Sequence, residues 1–292
     1  MLKLVLPKGS LEAATLALFD DADLRLHRAS ARDYFARIDD PRVDEVAILR
    51  PQEIPRYVEE GFFDVGITGR DWIEETSADV LTLAELHYSK ATSNPIRVVL
   101  AVPRESPWES ADDVPDGIKI STELPELTRR FFADRGKKVK VFLSYGATEA
   151  KVGSIVDACV DVTETGSTLR KNGLKIIAEL LVSRTELIAN HAAAAANVEK
   201  RAAMDDLRTL LLGAIDARGR VLLKLNVATD DLDAVLDILP SLKAPTINQL
   251  ANEDGYAVET VVDKRGVNRL IPALKARGAS GILEVPITKI VA

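Results

Sequence analysis

The residues from Val156 to Arg170 carry the densest chemical potential in the chain, because an acid-decorated apolar strand runs there into a Gly/Ser/Thr turn that opens a helix. Amide groups at a helix start lack intrahelical partners and sit at the positive end of the helix dipole. Thr165, Gly166, Ser167 and Thr168 therefore form a candidate cradle for a phosphate, with hydroxyls as added donors. Asp161 and Glu164 stand just ahead, placed to accept hydrogen bonds from vicinal hydroxyls or to neighbour a hydrated Mg²⁺. The chemistry this suggests is binding of a phosphorylated sugar. The same residues also suit an ordinary strand-to-helix turn capped by Ser and Thr.

Three further candidates follow apolar runs nearer the start. Leu2 to Leu6 ends in Pro7-Lys8-Gly9-Ser10, Val46 to Leu49 ends at Arg50-Pro51, and Phe63 to Thr68 ends at Gly69-Arg70-Asp71. Helical patterns separate these runs, at Leu11 to Phe19 and through Ile54, Tyr57 and Val58. Alternating strands and helices predict a parallel sheet with covering helices, whose binding loops gather at the carboxyl ends of the strands. Lys8, Arg50 and Asp71 then share one edge. The plainer reading makes Lys8 and Arg50 solvated edge charges and Asp71 the cap of a helix starting at Trp72.

A second α/β unit is predicted from about Arg97 to Leu180, with strands at Arg97 to Val102, Ile118 to Ser121 and Val139 to Phe142, and a helix opened by Pro125. A long Ala-rich helix, His191 to about Ala217, follows the apolar Leu187-Ile188-Ala189. From Arg220 the order strand, helix, strands, helix, strand indicates a split-βαβ module of about 75 residues, suited to regulation or assembly.

Composition narrows the options. The 292 residues carry a net charge of -7, which argues against a nucleic-acid surface as the main business of the protein. One cysteine, Cys159, excludes an internal disulfide framework and a cysteine-based zinc site. Three scattered histidines, His27, His87 and His191, offer little for a metal cluster. No apolar run approaches the roughly 20 residues that a membrane span requires, and Met1 to Gly9 does not read as a signal peptide. A soluble cytoplasmic protein, binding neither nucleic acid nor membrane, is expected.

Four blocks in order, Leu6 to Leu11, Asp64 to Asp71, Leu127 to Phe131 and Asp161 to Leu169, together with Ala244 to Ile247 and Gly278 to Leu283 in the tail, resemble the long form of the ATP phosphoribosyltransferase family. The resemblance implies an α/β fold with a two-lobed, periplasmic-binding-protein-like catalytic core and a C-terminal ferredoxin-like (βαββαβ) regulatory domain. Residues 1–95 would form the first lobe, rejoined by 184–215, residues 96–183 the second, and 216–292 the regulatory domain. It implies the first step of L-histidine biosynthesis, in which ATP and 5-phosphoribosyl 1-diphosphate (PRPP) condense, with Mg²⁺, to N1-(5-phospho-ribosyl)-ATP and diphosphate.

By this resemblance Asp161, Glu164 and Thr165 to Thr168 bind PRPP, and Lys8, Gly9, Arg50, Gly69 and Asp71 serve the nucleotide and diphosphate side. Asp161, Lys8 and Arg50 are the implied catalytic residues. Feedback inhibition by histidine would involve Thr246, Ala279 and Ser280, and places Lys224 where some relatives have an acidic residue. A homo-oligomer, dimers building a hexamer, is also implied, and Val221 to Val227 is a candidate edge strand for such pairing. Rival functions are a solute-binding protein, a silent regulatory subunit, and a phosphoribosyltransferase acting on a free base.

Overall fold

The computed structural model describes residues 1–30, 32–88, 95–240, 244–251 and 254–291. The chain divides into two compact units, residues 1–208 and 209–292.

In the first unit the chain runs through β1 (Leu2–Pro7), α1 (Glu12–Asp21), β2 (Leu26–His27), β3 (Phe35–Ile38), β4 (Val43–Leu49), α2 (Ile54–Glu59), β5 (Val65–Gly69), α3 (Arg70–Thr76) and β6 (Leu81–Leu86). A second lobe follows with β7 (Ile96–Pro103), β8 (Lys119–Thr122), α4 (Pro125–Ala133), β9 (Lys140–Leu143), β10 (Ala158–Thr163), α5 (Ser167–Lys171) and β11 (Leu174–Ser183). The chain then continues as β12 (Thr185–Ala189), α6 (His191–Ala196) and α7 (Val198–Ala217), the last of which runs past residue 208 into the second unit. One sheet has the order β2-β3-β4-β1-β5-β12-β6 and the other β11-β7-β10-β8-β9.

Neither sheet is wholly parallel, contrary to the sequence expectation. The pairs β1–β4 and β1–β5 are parallel, but β12 inserts antiparallel between β5 and β6. In the second sheet β8 is parallel to β10 and β9, while β7 runs antiparallel to β10 and β11. Strand β12 returns from the second sheet through the single residue Arg184 and pairs antiparallel with both of its neighbours in the first. Its five residues are all buried, as a strand flanked on both sides requires.

Each lobe has its own apolar centre. Val5, Ala47, Ile54, Val58, Ile73 and Ile188 cluster in the first. In the second, Val98, Leu100, Ile120, Phe132 and Val160 form one cluster, and Val99, Cys159, Leu169 and Leu174 form another. Helix α3 serves both lobes, for Ile73 enters the first centre while its neighbour Trp72 packs against the second.

The long Ala-rich helix is two helices. Asn197 is extended (φ -138°, ψ 109°), and its Oδ1 accepts from Lys200 N at 3.0 Å, so it ends α6 and caps α7. Lys200 Nζ lies 2.7 Å from Asp64 Oδ1, whose other oxygen accepts from Lys3 N at 2.9 Å, tying α7 to the first sheet.

The second unit contains β13 (Arg220–Ala228), α8 (Leu232–Leu236), β14 (Thr246–Gln249), β15 (Gly255–Asp263), α9 (Lys264–Lys275) and β16 (Ser280–Pro286), with sheet order β14-β15-β13-β16. This is the βαββαβ arrangement. Strand β13, which includes Val221 to Val227, is not an edge: β15 and β16 flank it antiparallel, and β14 and β16 are the edges. Its alternate residues Val221, Leu223, Leu225 and Val227 are buried in the helix-covered core, which explains why it occupies the centre. Thr229 does not cap α8; a single 3₁₀ turn, Thr229–Asp231, intervenes, and Thr229 Oγ1 donates to Asp254.

Candidate active site

Strand β10 delivers Asp161 to the mouth of the second lobe. Pleating puts Asp161 on the face of Cys159, while Val162 faces the opposite way and lines a hollow. Half burial, with added repulsion from Glu149 and Glu123, pushes the Asp161 carboxyl up to about 6, although Val162 N donates to its Oδ1 at 2.7 Å. Three carboxylates thus concentrate negative charge here. Burial also raises the Cys159 thiol well above its ordinary value, which removes it as a nucleophile.

The turn after Asp161 is shaped by Gly166, left-handed at φ +71°. A Cβ there would stand 3.0 Å from an Arg170 guanidinium nitrogen and 3.2 Å from Ile176 Cδ1. Thr163 Oγ1 accepts from Gly166 N at 2.8 Å, and Thr165, Ser167 and Thr168 remain exposed. Helix α5 spans five residues, and only its Leu169 is buried. Asp157 precedes β10 and accepts from Lys119 N at 2.8 Å, so it belongs to the strand entry and not to this constellation.

Two hollows lie between the lobes. The smaller, about 300 Å³, is lined by Ser10, Gln52, Gly69, Asp71, Glu123 and Arg184 among others. The larger, about 750 Å³, includes Arg50, Glu75, Ser144 and Tyr145, and the two share Gln52, Trp72 and Glu123. Gly69, Asp71 and Arg50 are therefore brought to the cleft. Lys8 and Gly9 belong to the turn leading to Ser10 but line neither hollow, and Lys8 Nζ lies 3.8 Å from the centre of the Tyr34 ring. A separate hollow of about 690 Å³ around His27, Arg28 and Phe35 holds none of the sequence candidates.

Asp71 is more than the cap of a helix beginning at Trp72. The helix starts at Arg70, and Asp71 is buried in its first turn, where burial raises its carboxyl. Ser183 Oγ donates to Asp71 Oδ1 at 2.7 Å and accepts from Asp71 N at 3.0 Å. The carboxylate fits only because residue 69 is glycine; a Cβ there would come within 2.1 Å of Asp71 Oδ1.

Sequence reasoning missed Glu123, Glu75 and Arg184. Glu123 directly follows β8, so its position at a strand's carboxyl end was the available signal. Arg184 donates toward His87 Nδ1 at 3.0 Å and lies 3.4 Å from Glu85.

In the second unit Thr246, Glu259, Lys224 and Leu283 form one row across the sheet. Lys224 Nζ lies 2.7 Å from Glu259 Oε1. Ala279 is buried in the core, with its N–H donating to the Leu274 carbonyl at 3.1 Å, and Ser280 is exposed.

Fold and site define a two-lobed α/β protein with an acid-flanked turn after β10 and two hollows between its lobes. Residues 50–213 match the family model described as ATP phosphoribosyltransferase, and residues 217–289 match the HisG C-terminal domain. ATP phosphoribosyltransferases from Pelotomaculum thermopropionicum and Solibacter usitatus are each 49% identical, the first over 99% of both chains and the second over 100% of this chain and 99% of its own. A solved Thermotoga maritima chain, from an ATP phosphoribosyl transferase (HisG:HisZ) complex, matches 73% of this chain and 99% of its own with 27% identity and a TM-score of 0.62. The chain belongs to the ATP phosphoribosyltransferase family, in its long form with the C-terminal domain, and is a pentosyltransferase. No helix among the described residues is long and apolar enough to cross a membrane.

Proposed function

We propose that the protein catalyses the first step of L-histidine biosynthesis, transferring the 5-phosphoribosyl group of PRPP to N1 of ATP. The adenine N1 lone pair attacks the anomeric carbon as the bond to diphosphate breaks, giving N1-(5-phospho-ribosyl)-ATP and free diphosphate. Neutral adenine already offers that lone pair, so no strong general base is needed. Asp161 holds the ribose hydroxyls and stabilises the positive charge that develops on the ring, while Thr165, Gly166, Ser167 and Thr168, with Glu164 alongside, hold the 5-phosphate. Arg50, Gly69 and Asp71, with Lys8 and Gly9 on the adjoining turn, serve the nucleotide and diphosphate; Arg50 and Lys8 offset leaving-group charge. The observation that carries this reading is a half-buried Asp161 delivered by one strand straight into the turn at Gly166, where Thr165, Ser167 and Thr168 are exposed.

Mg²⁺ suits this cleft as an ion carried in on the diphosphate. Burial, with repulsion from Glu149 and Glu123, already raises Asp161, and a bound diphosphate adds more negative charge to be balanced. Among the described residues no three His, Cys, Asp or Glu side chains form a metal cage; substrate oxygens and water would supply most of the ion's ligands, with Asp161 or Glu149 alongside. When bound, the ion neutralises the leaving group.

We read 1–95 with 184–215 as the first catalytic lobe, 96–183 as the second and 216–292 as a regulatory domain binding histidine near Thr246, Lys224 and the Ala279–Ser280 backbone. Glu259 beside Lys224 supports that site by offering a partner for an amino group or imidazole. The sheet edges β14 and β16 are available for homo-oligomer contacts, in place of β13.

One assay tests the whole reading. Protein with ATP, PRPP and Mg²⁺ should form the N1-ribosylated nucleotide, detected by ultraviolet absorbance and mass spectrometry, and L-histidine should slow this without competing with ATP. Thr246→Ala should weaken the inhibition. Absence of product across salt and protein concentrations contradicts the reaction; wild-type indifference to histidine removes the regulatory claim alone.

A further inference from the structure

Helix α4 takes its N-terminal cap from the other lobe, and the end of α3, already closed by Ser77 N on the Glu74 carbonyl, takes a further donor from α4. At the start of α4, Leu124 provides no side-chain cap and Pro125 has no N–H, leaving Glu126 N and Leu127 N as the first open donors. Both are satisfied by Glu75 of α3, whose Oε1 accepts from Glu126 N at 3.0 Å and Oε2 from Leu127 N at 2.8 Å. In return Arg130 of α4 donates to the Glu74 carbonyl, among the last of α3, and to Ser77 Oγ at 2.5 Å. Ser77 is the left-handed residue (φ 52°) that closes α3.

Charge reinforces this exchange, since a carboxylate meets the positive end of α4 and a guanidinium meets the negative end of α3. The exchange also reaches the cleft. Glu75 lines the larger hollow, and α4 begins immediately after the turn that carries Glu123, which lines both. Leu124 N donates to Thr122 Oγ1 at 3.0 Å, so holding the start of α4 fixes that short turn.

We propose that Glu75 and Arg130 are positioning residues that latch the two lobes in the closure at which Glu123 and the nucleotide side face Asp161. The proposal rests on the phosphoribosyl-transfer reading for its kinetic consequence, and its geometric part does not. If only the latched fraction of molecules binds substrate, releasing the latch raises apparent dissociation constants by the inverse of that fraction and spares turnover at saturation. Glu75→Ala should therefore raise KM for ATP about tenfold while kcat stays within about twofold. Arg130→Ala should move both quantities in the same direction.

Spin labels on Glu60→Cys and Glu105→Cys report the separation of the lobes, since both positions are exposed and one lies in each lobe. The native Cys159 is buried and does not compete for the label. The distance distribution should lengthen and broaden in Glu75→Ala and in Arg130→Ala relative to the parent. An unchanged distribution overturns the latch, and so does a loss of kcat at constant KM, which would put Glu75 in the chemical step. Should Glu75→Ala not fold, Glu75→Gln and Arg130→Lys carry the same two measurements, with smaller shifts in the same direction expected and none contradicting the proposal. A parent protein without transferase activity whose distances still depend on Glu75 would refute the reaction and leave the latch standing.

Discussion

Asp161→Asn should lower kcat by about 10² to 10³, the loss seen when one preorganised charge-stabilising group is removed from a transition state. Asparagine keeps the size and one oxygen acceptor but removes the negative charge facing the ribosyl cation. The fold should tolerate it. Burial together with Glu149 and Glu123 raises the Asp161 carboxyl to about 6, so the ionised group is a cost to the folded state. That cost is absent below the ordinary carboxylate range, grows as pH rises through about 6 and is complete above it. Asp161→Asn should therefore melt at the parent's temperature or higher at pH 7.5. In the parent, kcat/KM should fall as pH drops through about 6, because the free enzyme then loses the carboxylate. Parent-like turnover in Asp161→Asn removes this residue from the reaction; lost turnover with a collapsed melting temperature makes its role structural.

Gly166→Ala should weaken PRPP binding by roughly tenfold, equivalent to about 1.4 kcal/mol. Two effects converge at this position. An alanine at φ +71° meets the left-handed penalty of about 1 to 2 kcal/mol. Its methyl also presses on Arg170 and Ile176, at 3.0 and 3.2 Å. Relief of either strain shifts the turn, including the Gly166 N–H bond to Thr163 Oγ1, and displaces the exposed Ser167 and Thr168 from the proposed phosphate site. ATP binding should change little, since no residue from 163 to 168 lines either hollow between the lobes. Calorimetric titration with each substrate checks the split. Equal losses for both ligands, or no loss for PRPP, contradict the assignment of the turn to the sugar phosphate.

The parts legible in the sequence were those governed by local rules. Strands β1, β4, β5 and β10 are short apolar runs ended by Pro, Gly or acidic residues, and each appears within a few residues of its expected bounds. The turn at Gly166 announced itself through residue type alone. Pairing direction was not local: β12 looks like any apolar run, and its antiparallel place between β5 and β6 depends on the chain returning from the second sheet. Asn197 was hidden inside an alanine-rich stretch, where a single side-chain acceptor decides between one helix and two.

The cleft's second layer was illegible for a related reason. Glu75 caps a helix more than 50 positions away, and Asp71 meets Ser183 across 112 positions, so their roles exist only once the lobes are packed. The Lys224–Glu259 pair likewise arises from antiparallel register between β13 and β15. Acidic residues at strand ends are common; what marks Asp161 and Glu123 is the charge they share.

The most direct test of the central claim is hydrogen exchange of the parent protein with and without PRPP and Mg²⁺, read peptide by peptide. Slowed exchange concentrated in residues 161–168 is the predicted result, with the ligand's phosphate on the amides around Gly166 and its ring beside Asp161. Protection confined to another part of the chain, with 161–168 exchanging as in the free protein, contradicts it.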